Sequence, residues 1–195
     1  MTVAIRNALS AADAEEMRNI FDSAGWTHMP HNESHYYSRT YKDPGVGIPD
    51  ASEVYTTDFY RSSEVAHNKQ ILPILSRLID VVDANLTGAK VIRNGVDILP
   101  YRLRVGGHLR LHNDEYAADL GFIWYLSREW KWDWGGLLVE AHEDGTGSVE
   151  LPEFNKLVII DHSKAVSHCV TSVEKWARDD RVFMVGMMKL ENTND

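Results

Sequence analysis

The stretch from Lys90 to Lys189 constrains the fold more than any other part of the chain. It breaks into short apolar or alternating runs, KVIRNGVDILPYRLRV, HLRLHND, LGFIWYLS, GLLVEAHE, KLVIIDH, AVSHCVTSV and RVFMVGMMK, split by Gly, Pro, Asn and Asp. Runs this short and this closely spaced predict antiparallel strands in a sandwich or barrel, because a parallel sheet needs helix-length crossovers between its strands. The remainder of the chain must then cover that β unit.

Upstream the periodicity changes. Ser10-Ala-Ala-Asp13 reads as a capping box with Asp in the acidic position, and Ala14, Met17, Ile20 and Phe21 follow at helical spacing until Gly25. A second helix is predicted over 70–86, with Ile71, Ile74, Leu75, Leu78, Ile79 and Val82 as its buried stripe. Pro73 fits its first turn, where a missing N–H costs nothing, and Gly88 ends it. Residues 26–60 are rich in aromatics, histidine and turn formers, and read as short strands with a long loop. The closing ENTND reads as a polar tail.

Charge and cysteine usage exclude several partners. The net charge of −9 argues against nucleic acid, whose phosphates need a basic patch, and against an anionic membrane surface. A single cysteine, Cys169, rules out a disulfide within the chain. The segment MTVAIRNALSAADAEEM lacks the basic and apolar regions of a signal peptide. No apolar stretch approaches the roughly 18 residues that span a bilayer. A cytoplasmic protein, monomer or homodimer, is expected.

HLRLHND carries the chemistry. In a regular strand, residues two apart share a face, so His108, Arg110, His112 and Asp114 point one way and Leu109 and Leu111 the other. Taken alone, that polar face is as consistent with solvent as with a site. The four-residue spacing of His108 and His112 matches a zincin pair, but no Glu stands at 109 and Gly106-Gly107 opposes a helix. A second strand-like run supplies His168. Two histidines and one carboxylate on adjacent strands form the facial triad of non-haem Fe(II) sites. Arg181 then opens RVFMVGMM; an arginine in so apolar a strand needs an anionic partner, since its guanidinium does not lose its proton. A dicarboxylate supplies one through a bidentate pair.

From Tyr101 to Met187 the chain resembles the prolyl 4-hydroxylase-like branch of the Fe(II)- and 2-oxoglutarate-dependent oxygenases. The elements come in the family's order: His112-Asn113-Asp114, Tyr125-Leu126-Ser127, Trp130, Gly135-Gly136-Leu137-Leu138, Pro152-Glu153-Phe154-Asn155, His168-Cys169-Val170-Thr171-Ser172-Val173 and Arg181. Ser127 departs from the family's usual Asn. The resemblance implies a double-stranded β-helix, a cupin-like jelly roll, mainly β with N-terminal helices. The chain then reads as one oxygenase domain over 1–195, with a helical and loop region at 1–89 packed on a jelly-roll core at 90–190.

By the same resemblance, His112, Asp114 and His168 are the iron ligands and Arg181 holds the distal carboxylate of 2-oxoglutarate. Tyr125 bonds that carboxylate too. Tyr101 lies near a second such tyrosine, with a loop about one residue different, and Thr171 sits beside a ligand. The implied reaction consumes O2 and 2-oxoglutarate at Fe(II) and hydroxylates an unactivated C–H. Related halogenases carry Gly or Ala where this chain has Asp114, which points to hydroxylation here. A small molecule, an amino acid or derivative, is the expected substrate, with Arg110, His108 and Trp124 as contacts. A peptidyl or protein prolyl-type substrate is the alternative, and a non-catalytic metal-binding cupin-like module is the reading from another class.

Overall fold

The helical periodicity at 11–24 and 70–86 becomes a helical layer against one face of a sheet. In the computed structural model, which describes residues 2–29, 59–112, 114, 118–142, 144–164 and 166–192, α1 spans Ala11–Ser23, a short α2 Ser63–Ala66 and α3 Leu72–Ala84. Ser10 caps α1 by accepting from the Asp13 N–H at 3.1 Å. The Asp13 carboxylate turns instead to Arg77 on α3, at 2.6 and 3.1 Å, and ties the helices together. Pro73 lies in the first turn of α3. The helix stops at Ala84, short of Gly88, whose φ of +71° makes the turn that follows.

Strands are numbered in chain order. The larger sheet runs from edge to edge as β1 (Val3–Ile5), β10 (Lys156–Asp161), β7 (Leu120–Tyr125), β12 (Arg181–Met188), β5 (Asp97–Leu103), β3 (Phe59–Arg61) and β2 (Thr27–His28), every neighbour antiparallel. The smaller sheet is β6 (Leu109–His112), β11 (Ser167–Val170), β8 (Leu138–Ala141) and β9 (Gly147–Glu150). A separate ribbon pairs β4 (Ala89–Val91) with β13 (Leu190–Asn192). This is a double-stranded β-helix.

Alternation along β7 and β12 divides the interior in two. Phe122, Trp124, Leu126, Val182, Met184 and Met188 pack outward against Met17, Phe21, Ile74, Leu78 and Val82 of the helices. Ile123, Tyr125 and Phe183 face inward, where they meet Leu138 and Val170 of the smaller sheet. The helical layer thus closes the back of the large sheet, and the space between the sheets is left for a site.

Two expectations need correction, and a third lies outside the described residues. Besides the short strands expected within 26–60, here β2 and β3, the N-terminal region supplies β1, and together they extend both edges of the large sheet. VAI is too short to announce itself as a strand, and it forms because β10 offers an open edge. Leu190–Asn192 is a strand and not the start of a tail. The loop expected within 26–60 falls mostly on residues 30–58, outside the described residues.

Candidate active site

The two sheets bring one strand pair, β6 and β11, to the mouth of the interior. His112 and His168 are cross-strand partners, with ring centroids 4.3 Å apart. Both are buried, at 7% and 5% exposure. His168 Nδ1 lies 3.2 Å from the Val166 carbonyl, which turns its Nε2 toward Asp114 Oδ2 at 3.5 Å. One donor atom from each of His112, Asp114 and His168 lies within 4.8 Å of the others. Burial opposes the Asp114 charge, but the His168 hydrogen bond and the charges of His112, His168 and His162 outweigh it and hold the carboxyl at about 2. Burial likewise opposes the His168 cation, and Asp114 overrides it, so His168 titrates above its ordinary range.

β6 is not a regular strand. His112 pairs with His168 and Leu109 with Val170, so three residues on β6 span two on β11. This is a bulge, and it breaks the alternation. Leu109 therefore lines the cavity together with His112, while Leu111 is exposed. The expectation that His108 shares the His112 face fails for this reason: His108 is not in the cavity wall and its Nδ1 lies 3.1 Å from the Gly106 carbonyl. The Arg110 side chain lies outside the described residues. A β-strand at 109–112 also removes the zincin reading, which needs a helix.

Arg181, the first residue of β12, is fully buried. Its Nε donates to the Gly136 carbonyl at 2.7 Å and its Nη2 reaches Tyr125 Oη at 3.4 Å, while Nη1 has no partner. The guanidinium stacks over Phe183 at 4.2 Å. Burial lowers its pKa, though an arginine stays charged in proteins. Burial pushes the Tyr125 hydroxyl up to about 12, so it remains a donor. The Gly-Gly pair explains the close packing. Gly136 has φ +60°, and a Cβ there would lie 3.0 Å from Arg181 Cδ and from the Trp130 ring. Ser127 fastens the same corner by donating to the Asp180 carbonyl at 3.0 Å and accepting from the Val182 N–H at 2.8 Å.

One cavity joins these groups. Arg181, Phe183, Val185 and Met187 of β12 run along its floor, with Tyr101 and Leu99 beside them and His112, Asp114 and His168 across from them. Tyr101 stacks on Phe59 at 4.6 Å and Phe183 at 5.6 Å. Two expected residues lie elsewhere. Trp124 points to the opposite face of β7, into the helix-facing core, where its Nε1 donates to Asn155 Oδ1 at 3.2 Å. Thr171 is outside the cavity wall and clamps β11 to Leu137 through its backbone N–H and its Oγ1, both at 3.0 Å.

The sequence profile of the 2OG-Fe(II) oxygenase superfamily matches residues 97–189, the segment that supplies all of these groups except Phe59. The matched segment, just under half of the chain, is similar to that superfamily. Members of that superfamily are enzymes that use Fe(II), 2-oxoglutarate and O2, and the match indicates the same for this chain. The chain is similar in fold to a prolyl-4-hydroxylase from Pseudomonas putida, at 16% identity and TM-score 0.62 over 96% of this chain and 91% of that one. It is similar also to a 2OG-Fe(II) oxygenase-family protein from Burkholderia pseudomallei (15%, TM-score 0.66, 96% and 83%). A third is HygX from Streptomyces hygroscopicus, solved with nickel, 2-oxoglutarate and hygromycin B (12%, TM-score 0.57, 99% and 83%). No curated protein sequence matches it. No helix among the described residues is long and apolar enough to cross a membrane.

The residues present fit this chemistry. Two imidazoles and a carboxylate suit a non-haem Fe(II), which leaves positions free for other ligands. The unused Nη1 of a buried guanidinium suits the far carboxylate of a dicarboxylic acid. Sequence reasoning missed the apolar lining and one titratable cavity residue, His162, which ends the run KLVIIDH and lies 4.0 Å from Asp114 Oδ2.

Proposed function

We propose that this oxygenase, acting as a single-domain cytoplasmic enzyme, hydroxylates an unactivated C–H of a small molecule, an amino acid or derivative. In this reading His112, Asp114 and His168 hold Fe(II), and Arg181 with Tyr125 anchors 2-oxoglutarate by its distal carboxylate. Iron with 2-oxoglutarate and O2 supplies the oxidising power; the protein supplies geometry, a pocket shielded from water and the orientation of the target carbon.

One observation carries the cosubstrate assignment. Among the described residues the other buried cations are matched by carboxylates: Arg18 by Asp22 and Asp179, and Lys156 by Glu150 and Glu153. Arg181 has none, and it sits in the same cavity as the three candidate ligands. A buried charge left unpaired is costly, so its retention argues for a charged ligand. As a third protein ligand, Asp114 would leave no vacated position for an exogenous anion, which favours hydroxylation. The apolar floor and walls, Leu99, Ile123, Ile160, Val185 and Met187, favour a substrate that presents an aliphatic or aromatic portion. The similarity in fold to HygX, solved with hygromycin B bound, supports the small-molecule reading. The prolyl-4-hydroxylase similarity keeps a prolyl peptide as the second reading.

The test is a mass-spectrometric screen of free amino acids, their derivatives and prolyl peptides, with anaerobically loaded Fe(II), 2-oxoglutarate and then O2. A gain of one oxygen on a small molecule, with succinate formed, is expected. Oxidation confined to peptides would overturn the substrate class. Normal turnover by His112→Ala or His168→Ala would overturn the ligand assignment.

A further inference from the structure

β7, LGFIWY, is buried at every position, yet its second residue is a glycine on the cavity face. Glycine inside a strand sacrifices packing and marks a close approach by something else. Here that neighbour is His162. A Cβ on Gly121 would lie 2.6 Å from both Cε1 and Nε2 of its ring. His162 follows β10, is 3% exposed and is anchored by its backbone N–H to the Asp119 carbonyl at 3.1 Å. Its Nε2 is directed at Asp114 Oδ2, 4.0 Å away, the oxygen that His168 Nε2 approaches to 3.5 Å. Its Nδ1 is buried without a hydrogen bond. His162 stands outside the three residues whose donor atoms cluster within 4.8 Å, so it is a neighbour of the candidate ligands and not one of them.

We infer that His162 is a positioning residue of the metal centre, a second imidazole beside the Asp114 oxygen that His168 approaches, and that it fixes how the carboxylate is presented to the metal. The inference rests on the ligand assignment proposed above. A carboxylate has two oxygens and about four acceptor sites, so a single imidazole contact leaves it free to rotate. Among the described residues the only side chains within 4.0 Å of its oxygens in ion-pair geometry are His168 and His162. Groups that orient a ligand in this way typically contribute about 10- to 100-fold in metal affinity. The glycine is the structural counterpart, because any side chain at 121 would push the imidazole off this line.

The experiment is calorimetric titration of the metal-free protein with Mn(II), without substrate or turnover. His162→Phe keeps a ring over Gly121 and removes the polar contact; its Mn(II) affinity is expected to fall about 10- to 100-fold with the thermal midpoint of the metal-free protein little changed. His162→Gln, which restores an N–H donor, should recover part of the loss. Gly121→Ala should weaken Mn(II) binding with His162 still present. Wild-type affinity in His162→Phe overturns the inference. If that variant does not fold, equal affinities of His162→Ala and His162→Gln overturn it. His112→Ala separates the two levels. Wild-type Mn(II) binding there would sink the ligand assignment itself, whereas its loss alongside an unaffected His162→Phe would sink only the role of His162.

Discussion

Arg181→Met should separate two quantities that usually fall together, stability and cosubstrate binding. The guanidinium makes one strong bond, Nε to the Gly136 carbonyl at 2.7 Å, and one long contact to Tyr125 at 3.4 Å. Removing it leaves the Gly136 carbonyl short of a donor, which costs about 1–3 kcal/mol. It also removes a buried cation with no carboxylate partner, and replacing buried charge by an apolar side chain of similar volume is often neutral or stabilising by about 1–4 kcal/mol. The two nearly cancel, so the metal-free variant should melt close to the wild type. Binding of 2-oxoglutarate should fall sharply, because a charge-assisted bond of about 1.5–3 kcal/mol corresponds to roughly 10- to 100-fold in affinity. The assay is the thermal midpoint with Mn(II) present, as 2-oxoglutarate is added. At 100 times its dissociation constant the ligand stabilises the wild type by about 2.7 kcal/mol; a 100-fold weaker variant gains only about 0.4 kcal/mol at the same concentration. A full 2-oxoglutarate shift in Arg181→Met would refute the anchor. Loss of more than about 3 kcal/mol from the metal-free variant would refute the claim that its charge is unmatched.

Other perturbations test the corrections and the electrostatics. Trp124→Phe should cost about 1 kcal/mol of stability through the lost bond to Asn155, with substrate KM unchanged; a KM effect without destabilisation would return Trp124 to the pocket. Ser127→Ala leaves the Val182 N–H without its acceptor beside Arg181 and should lower stability by about 1–3 kcal/mol in urea melts, while Ser127→Thr, which keeps the hydroxyl, should lose less. In the metal-free protein, Asp114 contributes stability above its unfolded value that is lost as pH falls through about 2. The raised pKa of His168 makes the opposite contribution, present below its unfolded value and lost as pH rises through the folded one. Metal must displace that proton, so the Mn(II)-induced rise in thermal midpoint should shrink as pH is lowered from about 8.5 to 5.5, and a constant rise would refute the coupling.

Much of this was legible in the residues. The stripe at 71–82 and the runs LGFIWYLS and RVFMVGMMK became a helix and two central strands, because the stripe marks the one buried face of the helix and the two short, continuously apolar runs suit strands covered on both faces. His112, Asp114, His168 and Arg181 could be picked out because their order and spacing match a family pattern. The facing of Trp124 was legible too: once Tyr125 is placed beside Arg181, alternation sends its neighbour to the other side of the sheet. The bulge in β6 was not, since it is a property of how β6 and β11 register, and nothing within HLRLHND marks it. His162 was hidden for a related reason. It stands alone at the end of a strand, and only the pairing of β10 with β7 places its ring over Gly121.

The three-residue strand β1 has a bearing on how the molecule behaves at high concentration. It pairs Val3, Ala4 and Ile5 with Ile159, Val158 and Leu157, and so occupies the outer hydrogen-bonding edge of KLVIID, one of the most apolar strands in the large sheet. An uncovered strand of that composition is a template for addition of another chain, the route to intermolecular sheets and aggregates. Protection of that edge therefore rests on the few contacts β1 makes, with the net charge of −9 supplying only a longer-ranged repulsion that salt weakens. Deleting β1, or crowding it with a rigid fusion, is expected to expose the edge of β10 and promote self-association.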